Sequence, residues 1–318
     1  MAKKKKNAGY RSPPQLSVVV PVYRGEATVQ ELVRRLLMVL PKISTRHEII
    51  LVDDESPDGA WEKITVLARR FPGVVGVRLS RNFGQHYAIT AGLSLARGKS
   101  VVVMDCDLQD QPSQIPKMIK KVLEGYDVVL ARRAERKDGW AKRFSSCMFY
   151  AILSWLSGVQ HDAGIANFGV YSSKVIQAIN QMPETIRYFP TMVRWVGFRA
   201  VTVDVEHGMR PHGTTSYNFK KLFNLALDIC LAYSDKPLRI VVGTGFLVSI
   251  IGIILALVTL MRALQGKITV LGYASLIVSL WTLAGLTIFI MGIVGLYVGK
   301  CFEGIKRRPS FIIAEKIN

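Results

Sequence analysis

Cysteine and histidine are scarce in this chain, and acid is in short supply. The four cysteines (Cys106, Cys147, Cys230, Cys301) are scattered without a C-x-x-C pair, and the five histidines show no zinc-ligand spacing. Neither a disulfide framework nor a zinc site is expected, and a reducing compartment fits. No G-x-G-x-x-G follows the first apolar run; "VPVYRGEATVQ" stands there instead, so a nicotinamide-linked oxidoreductase would lack its phosphate loop. The opening stretch "MAKKKKNAGYRSPP" has no apolar segment of the secretory kind. Residues 1–15 are expected to be a basic disordered tail, solvated or touching anionic lipid at about 1 kcal/mol per basic residue near the surface. Asp and Glu number 23 against 42 Lys and Arg, a net charge of +19 over 318 residues. Such an excess suits an anionic partner: nucleic acid, phospholipid head groups or a phosphorylated substrate.

Apolar residues are plentiful, at 50% of the chain with a mean hydropathy of +0.25. Basic and apolar excess together point to a membrane. The apolar residues fall into two patterns. From Leu16 to about Ala131, short β-branched runs ("LSVVVPV", "HEIILVD", "VVGVRLS", "KSVVVMD", "YDVVLAR") alternate with amphipathic stretches such as "TVQELVRRLLMVL" and "GQHYAITAGLSLARG". This alternation predicts an α/β fold with an open, mostly parallel sheet. Ligands of such sheets bind beyond the carboxyl ends of the strands, which places Pro21, Asp53, Ser80 and Asp105 on one rim.

The last third is different. "IVVGTGFLVSIIGIILALVTLM", residues 240 to 261, holds no charge and is long enough to cross the hydrocarbon; a second run from about Ala274 to Val298 matches it. The outer flanks carry Lys220, Lys221, Lys236, Arg239, Lys300, Lys306, Arg307 and Arg308, while the connector has only Arg262 and Lys267. The positive-inside rule then places the α/β domain and both termini in the cytoplasm. "WAKRFSSCMFYAILSWLSG" and "NFKKLFNLALDICLAYS" combine a cationic start with an apolar face. They suit helices in the membrane interface or packed on the sheet. The expected order is a catalytic domain over 16–217, an interfacial helix over 218–236, two transmembrane helices over 237–300 and a cytoplasmic tail over 301–318.

The acids that do exist are concentrated. "VVVMDCDLQDQP" puts Asp105, Asp107 and Asp110 into six positions. Bare carboxylates so close raise one another's pKa, and a divalent cation between them relieves it. If the strand continues through them, Asp105 and Asp107 share a face and Cys106 points away. Two hard oxygen ligands, with Gln109 adding a neutral one, suit Mg²⁺ or Mn²⁺.

"LSVVVPVYRGEATVQELV", "EIILVDDESPDGAWEKI", "LSRNFGQHYAITAGL" and "VVVMDCDLQDQPSQIP" resemble the family 2 glycosyltransferases that load sugars onto polyisoprenyl phosphates. The resemblance covers nearly the whole chain, paired C-terminal spans included. It implies a GT-A fold, a nucleotide-sugar donor, a divalent metal and inversion at the anomeric carbon. It also implies roles for particular residues. Pro21, Tyr23, Glu26, Asp53, Asp54 and Asn82 match nucleotide-binding positions. Asp105, Asp107 and Gln109 match the metal and diphosphate site. Arg133, Arg136 and Arg143 match arginines near the lipid phosphate. Arg210, Ser216 and Tyr217 match a mobile loop closing over the diphosphate, with Arg210 neutralising the leaving group and Asp162 the candidate base. Gly169 stands after Phe168 where the family often has Arg, which implies a different sugar pocket.

The resemblance implies transfer of a sugar, UDP-linked, to undecaprenyl phosphate at the inner (plasma) membrane. The implied enzyme is a homo-oligomer, as tetramers occur in the family, that contacts anionic membrane lipids and no nucleic acid. The alternative is a non-catalytic membrane scaffold that keeps the nucleotide-binding domain.

Overall fold

The computed structural model describes residues 14–133, 165–184, 186–206, 208, 236–265, 272–306 and 308–318. The described residues form two compact units: those up to 208 together with 309–318, and those from 236 to 308.

The first unit is built on one eight-stranded sheet. Its strands are β1 (Leu16–Val22), β2 (His47–Asp53), β3 (Val74–Leu79), β4 (Ser100–Val103), β5 (Val128–Arg133), β6 (Ile165–Ser172), β7 (Ala200–Val205) and β8 (Ile313–Ile317), in the order β7-β5-β6-β4-β1-β2-β3-β8. Helices α1 (Val29–Ile43), α2 (Ala60–Arg70), α3 (Gln85–Leu95), α4 (Ile115–Leu123), α5 (Ser173–Gln181) and α6 (Phe189–Trp195) cover it. β1 is buried along its whole length. Its period of two sends Val18, Val20 and Val22 to a core shared with Leu32 of α1, Ile64 of α2 and Ile115 of α4. Val19 goes to a second core with Ile89 of α3, Ile176 of α5 and Met192 of α6. A strand buried on both faces must be apolar throughout, which is why β1 to β4 are legible as unbroken runs.

The sheet is mixed rather than uniformly parallel. β1, β2, β3 and β4 pair in parallel, but β6 runs antiparallel to both β4 and β5. The fifth predicted strand, β5, therefore joins the parallel set only through β6. Residues 301–318 are also more than a tail. Ile313–Ile317 pairs antiparallel with β3, Ser80 N–H donates to the Ile312 carbonyl at 2.9 Å, and the Asn318 amide reaches the carbonyls of Ala68 and Val74. The C-terminus thus covers the edge of β3, which would otherwise expose a row of unpaired amides.

The second unit contains α7 (Lys236–Leu264) and α8 (Tyr273–Ile305), of 29 and 33 residues. Their described apolar side chains are largely exposed, with Ile288 at 72% and Phe246 at 68%. A Cβ on Gly245 of α7 would sit 3.9 Å from Ile290 Cδ1 of α8, so the two helices touch. Side-chain description is interrupted along both helices, and among the described residues none forms a helix long and apolar enough to cross a membrane. The sequence through them is uncharged from Ile240 to Met261 and from Tyr273 to Gly299. The predicted interfacial segments lie outside the described residues.

Candidate active site

Strand register sets the rim. Val22 pairs with Asp53, Asp53 with Arg78, and Val19 with Val103. The carboxyl ends of β1, β2 and β3 therefore finish nearly level, β4 stops three residues earlier opposite Val19, and the loops after them carry Tyr23, Asp54, Ser80 and Asp105. Three of these loops are strained. Arg24 and Glu55, just beyond the ends of β1 and β2, and Leu108, within the loop after β4, have φ of 54°, 52° and 64°. The left-handed conformation costs a side-chain-bearing residue about 1–2 kcal/mol. Such strain gathers where structure serves a site.

The acid pair after β2 divides into two roles. Asp53 is fully buried; Ser56 N–H donates to its Oδ1 at 3.3 Å, and Arg78 Nε lies 3.8 Å from Oδ2. No hydrogen bond reaches Oδ2. Burial pushes the carboxyl up to about 6, with the Ser56 hydrogen bonds and Arg78 opposing. Arg78 also makes a two-pronged pair with Glu55, at 2.9 and 3.1 Å. Asp53 is thus a sealed acid with a spare acceptor oxygen. Both oxygens of Asp54 are engaged instead, accepting the N–H groups of Phe83 and Gly84 at 2.8 Å. Burial raises the pKa of Asp54 as well. Gly84, with φ of 105°, is the turn that aims α3. Asp54 acts here as the clamp of the β3–α3 loop, and Asn82 is exposed in that loop.

Pro21 lies within β1, and Tyr23 is 42% exposed just beyond it, under the Arg24 guanidinium. Glu26 is committed to the neighbouring loop. Its N–H donates to Asp58, its Oε2 accepts Gly59 N–H, and its carbonyl accepts Lys63 Nζ at 2.8 Å. These bonds lock the first two rim loops together.

The D-x-D does not continue the strand. β4 ends at Val103, Met104 N–H makes the last bond to Val19, and the chain bends. The face-sharing expected from strand alternation therefore does not apply. A local network holds the loop: Asp110 accepts Asp105 N–H, Asp107 accepts Gln109 N–H in an Asx turn, and Gln111 donates to the Leu108 carbonyl. Asp110 is buried, at 5% exposure, beneath half-buried Asp105 and Asp107. The Cys106 sulfur lies within 3.3 Å of a Cβ position on Gly25. Burial, reinforced by Asp105 and Asp107, pushes its thiol up to about 12, so it stays protonated. Among the described residues no group of three or more His, Cys, Asp or Glu forms a closed metal cage. The half-buried carboxylates of Asp105 and Asp107 are hard oxygen donors of the kind Mg²⁺ or Mn²⁺ takes alongside substrate phosphate.

Two contacts were not foreseen from the sequence. Gln85 Nε2, on the first turn of α3, donates to Asp105 Oδ1 at 2.7 Å. Gly208 N–H, beyond β7, donates to the Gln109 carbonyl at 2.9 Å. Gln85 directly follows the glycine that opens α3, the one sequence signal that could have singled it out. Arg133 closes β5, paired with Val205. Arg136, Arg143, Asp162, Arg210, Ser216 and Tyr217 lie outside the described residues.

The family model for glycosyl transferase family 2 matches residues 17–175, spanning β1 to α5 and every rim loop described above. The chain belongs to glycosyl transferase family 2. An uncharacterized glycosyltransferase of Synechocystis is 33% identical over 95% of each chain. The undecaprenyl-phosphate 4-deoxy-4-formamido-L-arabinose transferase of Aeromonas hydrophila is 33% identical over 94% of this transferase and 92% of its own length. That of Proteus mirabilis is 31% identical over 95% and 94%. Among solved structures, glucosyl-3-phosphoglycerate synthase of Mycobacterium tuberculosis, with Mn²⁺ and UDP, matches at a TM-score of 0.49 and 18% identity, covering 69% of this chain and 77% of that one.

Proposed function

We propose that this family 2 transferase moves a sugar, UDP-linked, from its nucleotide to undecaprenyl phosphate at the cytoplasmic face of the membrane, with inversion. The observation that carries the reading is the acidic rim. A buried acid at β2, whose spare oxygen would be uncovered when the nucleotide enters, suits a nucleobase N–H, and two half-buried carboxylates at β4 suit the diphosphate through a cation. Asp105 and Asp107 would hold Mg²⁺ or Mn²⁺, with Gln109 beside them; when bound, the ion supplies compensation for the charge of the diphosphate. The acceptor is already an anion, so orientation matters more than a strong base. A lipid phosphate oxygen forms a bond to the anomeric carbon, and the bond from that carbon to the diphosphate breaks, releasing nucleoside diphosphate. Asp162 and Arg210 are proposed to orient the sugar and neutralise the leaving group, with Ser216 and Tyr217 on the same loop. Arg133, Arg136 and Arg143 are proposed to receive the lipid phosphate.

The membrane reading rests on α7 and α8. At 1.5 Å per residue they are about 43 and 50 Å long, against a hydrocarbon core of roughly 30 Å. Their hydroxyls make their own bonds: Thr244 donates to the Val241 carbonyl, Ser279 to Leu276 and Thr287 to Leu283. Polar groups satisfied within the helix are what lipid demands. The chain leaves the sheet unit before α7 and rejoins it at β8, so the number of crossings is even. The sheet unit and both termini then share one side, the cytoplasm by the positive-inside rule. Contact with anionic lipid and assembly into a homo-oligomer belong to the same proposal.

The test is a screen of UDP- and GDP-sugars with undecaprenyl phosphate, with and without EDTA. A lipid-linked sugar formed only with metal is expected. Nucleotide binding without transfer under every condition would favour a scaffold.

A further inference from the structure

We propose that Gln85 and His86, on the first turn of α3, read the sugar of the donor and select one that is uncharged, an inference that rests on the donor site argued above. The N-terminus of α3 lies between the two acid groups of the rim. On one side, Asp54 holds Phe83 N–H and Gly84 N–H. On the other, Asp105 holds the Gln85 amide. If the nucleoside lies by Asp53 and the diphosphate by Asp105, the sugar that follows meets the next residues along this turn.

Those residues belong to a continuous chain of contacts. The His86 ring meets Tyr188 edge-on, with centroids 4.6 Å apart. Phe189, next to Tyr188, meets Tyr171 edge-on at 5.2 Å. Tyr171 folds back over Gly169, so that a Cβ there would run into its hydroxyl. Gly169 pairs with Val103, two residues before Asp105. The circuit runs from Asp105 through Gln85, His86, Tyr188, Phe189 and Tyr171 back to the end of β4.

Every described side chain on this circuit except Asp105 is uncharged. His86 Nδ1 is sealed inside without a hydrogen-bond partner, whereas Nε2 is not. Burial lowers the ring's pKa to about 4, so at neutral pH it offers a neutral nitrogen edge. Tyr171 fills the space over Gly169. An amide and a neutral imidazole bind hydroxyl or acylamido groups well, and they supply no counter-charge to a sugar carboxylate.

The experiment measures affinities of the full-length protein in detergent with Mn²⁺, by calorimetry. The probes are UDP, UDP-glucose, UDP-N-acetylglucosamine and UDP-glucuronate. In the wild type, at least one uncharged nucleotide sugar should bind more tightly than UDP, and UDP-glucuronate should not. His86→Ala should keep UDP affinity within about twofold, which also shows that it folds; Gln85→Ala, which frees Asp105 Oδ1, is compared through its ratio of sugar-nucleotide to UDP affinity. Each should reduce the advantage of the preferred sugar over UDP about tenfold, the effect of one well-placed hydrogen bond left unmade. His86→Asn should restore part of it. A wild-type preference for UDP-glucuronate, no uncharged sugar above UDP, or an unchanged advantage in both variants would overturn the proposal. So would a parallel loss of UDP affinity, which would assign these residues to the nucleotide or the fold. Failure of the wild type to bind UDP and GDP alike would strike the donor site itself.

Discussion

Gly208 N–H donates to the Gln109 carbonyl at 2.9 Å, which stitches the segment after β7 to the acidic loop after β4. The fit is close. A Cβ on Gly208 would meet the Gln111 amide and lie 3.1 Å from the Leu108 carbonyl oxygen. Gly208→Ala is therefore expected to push the two segments apart and loosen the loop that holds Asp105 and Asp107. Loss of a hydrogen bond of about 1 kcal/mol corresponds to roughly five- to tenfold in metal affinity and in transfer rate. Mn²⁺ titration followed by electron paramagnetic resonance checks this, with the melting temperature nearly unchanged. Wild-type Mn²⁺ affinity in the variant would show that the stitch has no bearing on the site.

Asp53 predicts a pH dependence. Burial lifts its carboxyl from an ordinary 3.8 to about 6, so between those values the folded protein binds more protons than the unfolded chain. Stability then falls as pH rises through that window, and above it the fold carries a buried charge beside Arg78 and Glu55. An ionised Asp53 is the better acceptor for a nucleobase N–H. Nucleotide affinity should thus strengthen as pH climbs through about 6, and Asp53→Asn should be weaker and flat across the range. Calorimetry with UDP from pH 5 to 8 decides it. A flat wild-type profile would remove Asp53 from the nucleotide site.

The proposed topology makes its own prediction. A cysteine introduced at Gln265 should react with an impermeant maleimide from outside intact cells. One at Lys306 should react only after permeabilisation. The reverse pattern would put the rim on the side without nucleotide sugars.

Much of the sheet was legible because burial on both faces makes a strand speak as an unbroken apolar run; Val18 to Val20 and Val101 to Val103 are examples. β6 was harder, since "IANFGVYS" carries Asn and Gly among its apolar residues. β8 was hidden for another reason. "IAEKI" is short, and only Ile313 and Ile317 are partly buried against the sheet. In β7, "AVTVDV" does alternate, a signal that was there to be read. At the site, residue types announced the acids, but not their division of labour. Nothing in "VDDES" tells that Asp53 keeps a spare oxygen while Asp54 spends both on Phe83 and Gly84. That follows from where β3 delivers the next loop. The D-x-D parity does not apply because β4 ends at Val103 and the acids sit in the loop beyond it.

The central claim is that a lipid phosphate oxygen attacks the anomeric carbon and the diphosphate leaves with the nucleoside. The mass of the lipid product tests it most directly. Undecaprenyl phosphate incubated with the preferred nucleotide sugar, metal and the full-length protein should yield a lipid carrying the sugar and one phosphate. Asp105→Asn or Asp107→Asn should remove nearly all of it. A product carrying the sugar and two phosphates would mean that sugar phosphate is transferred, and would contradict the account.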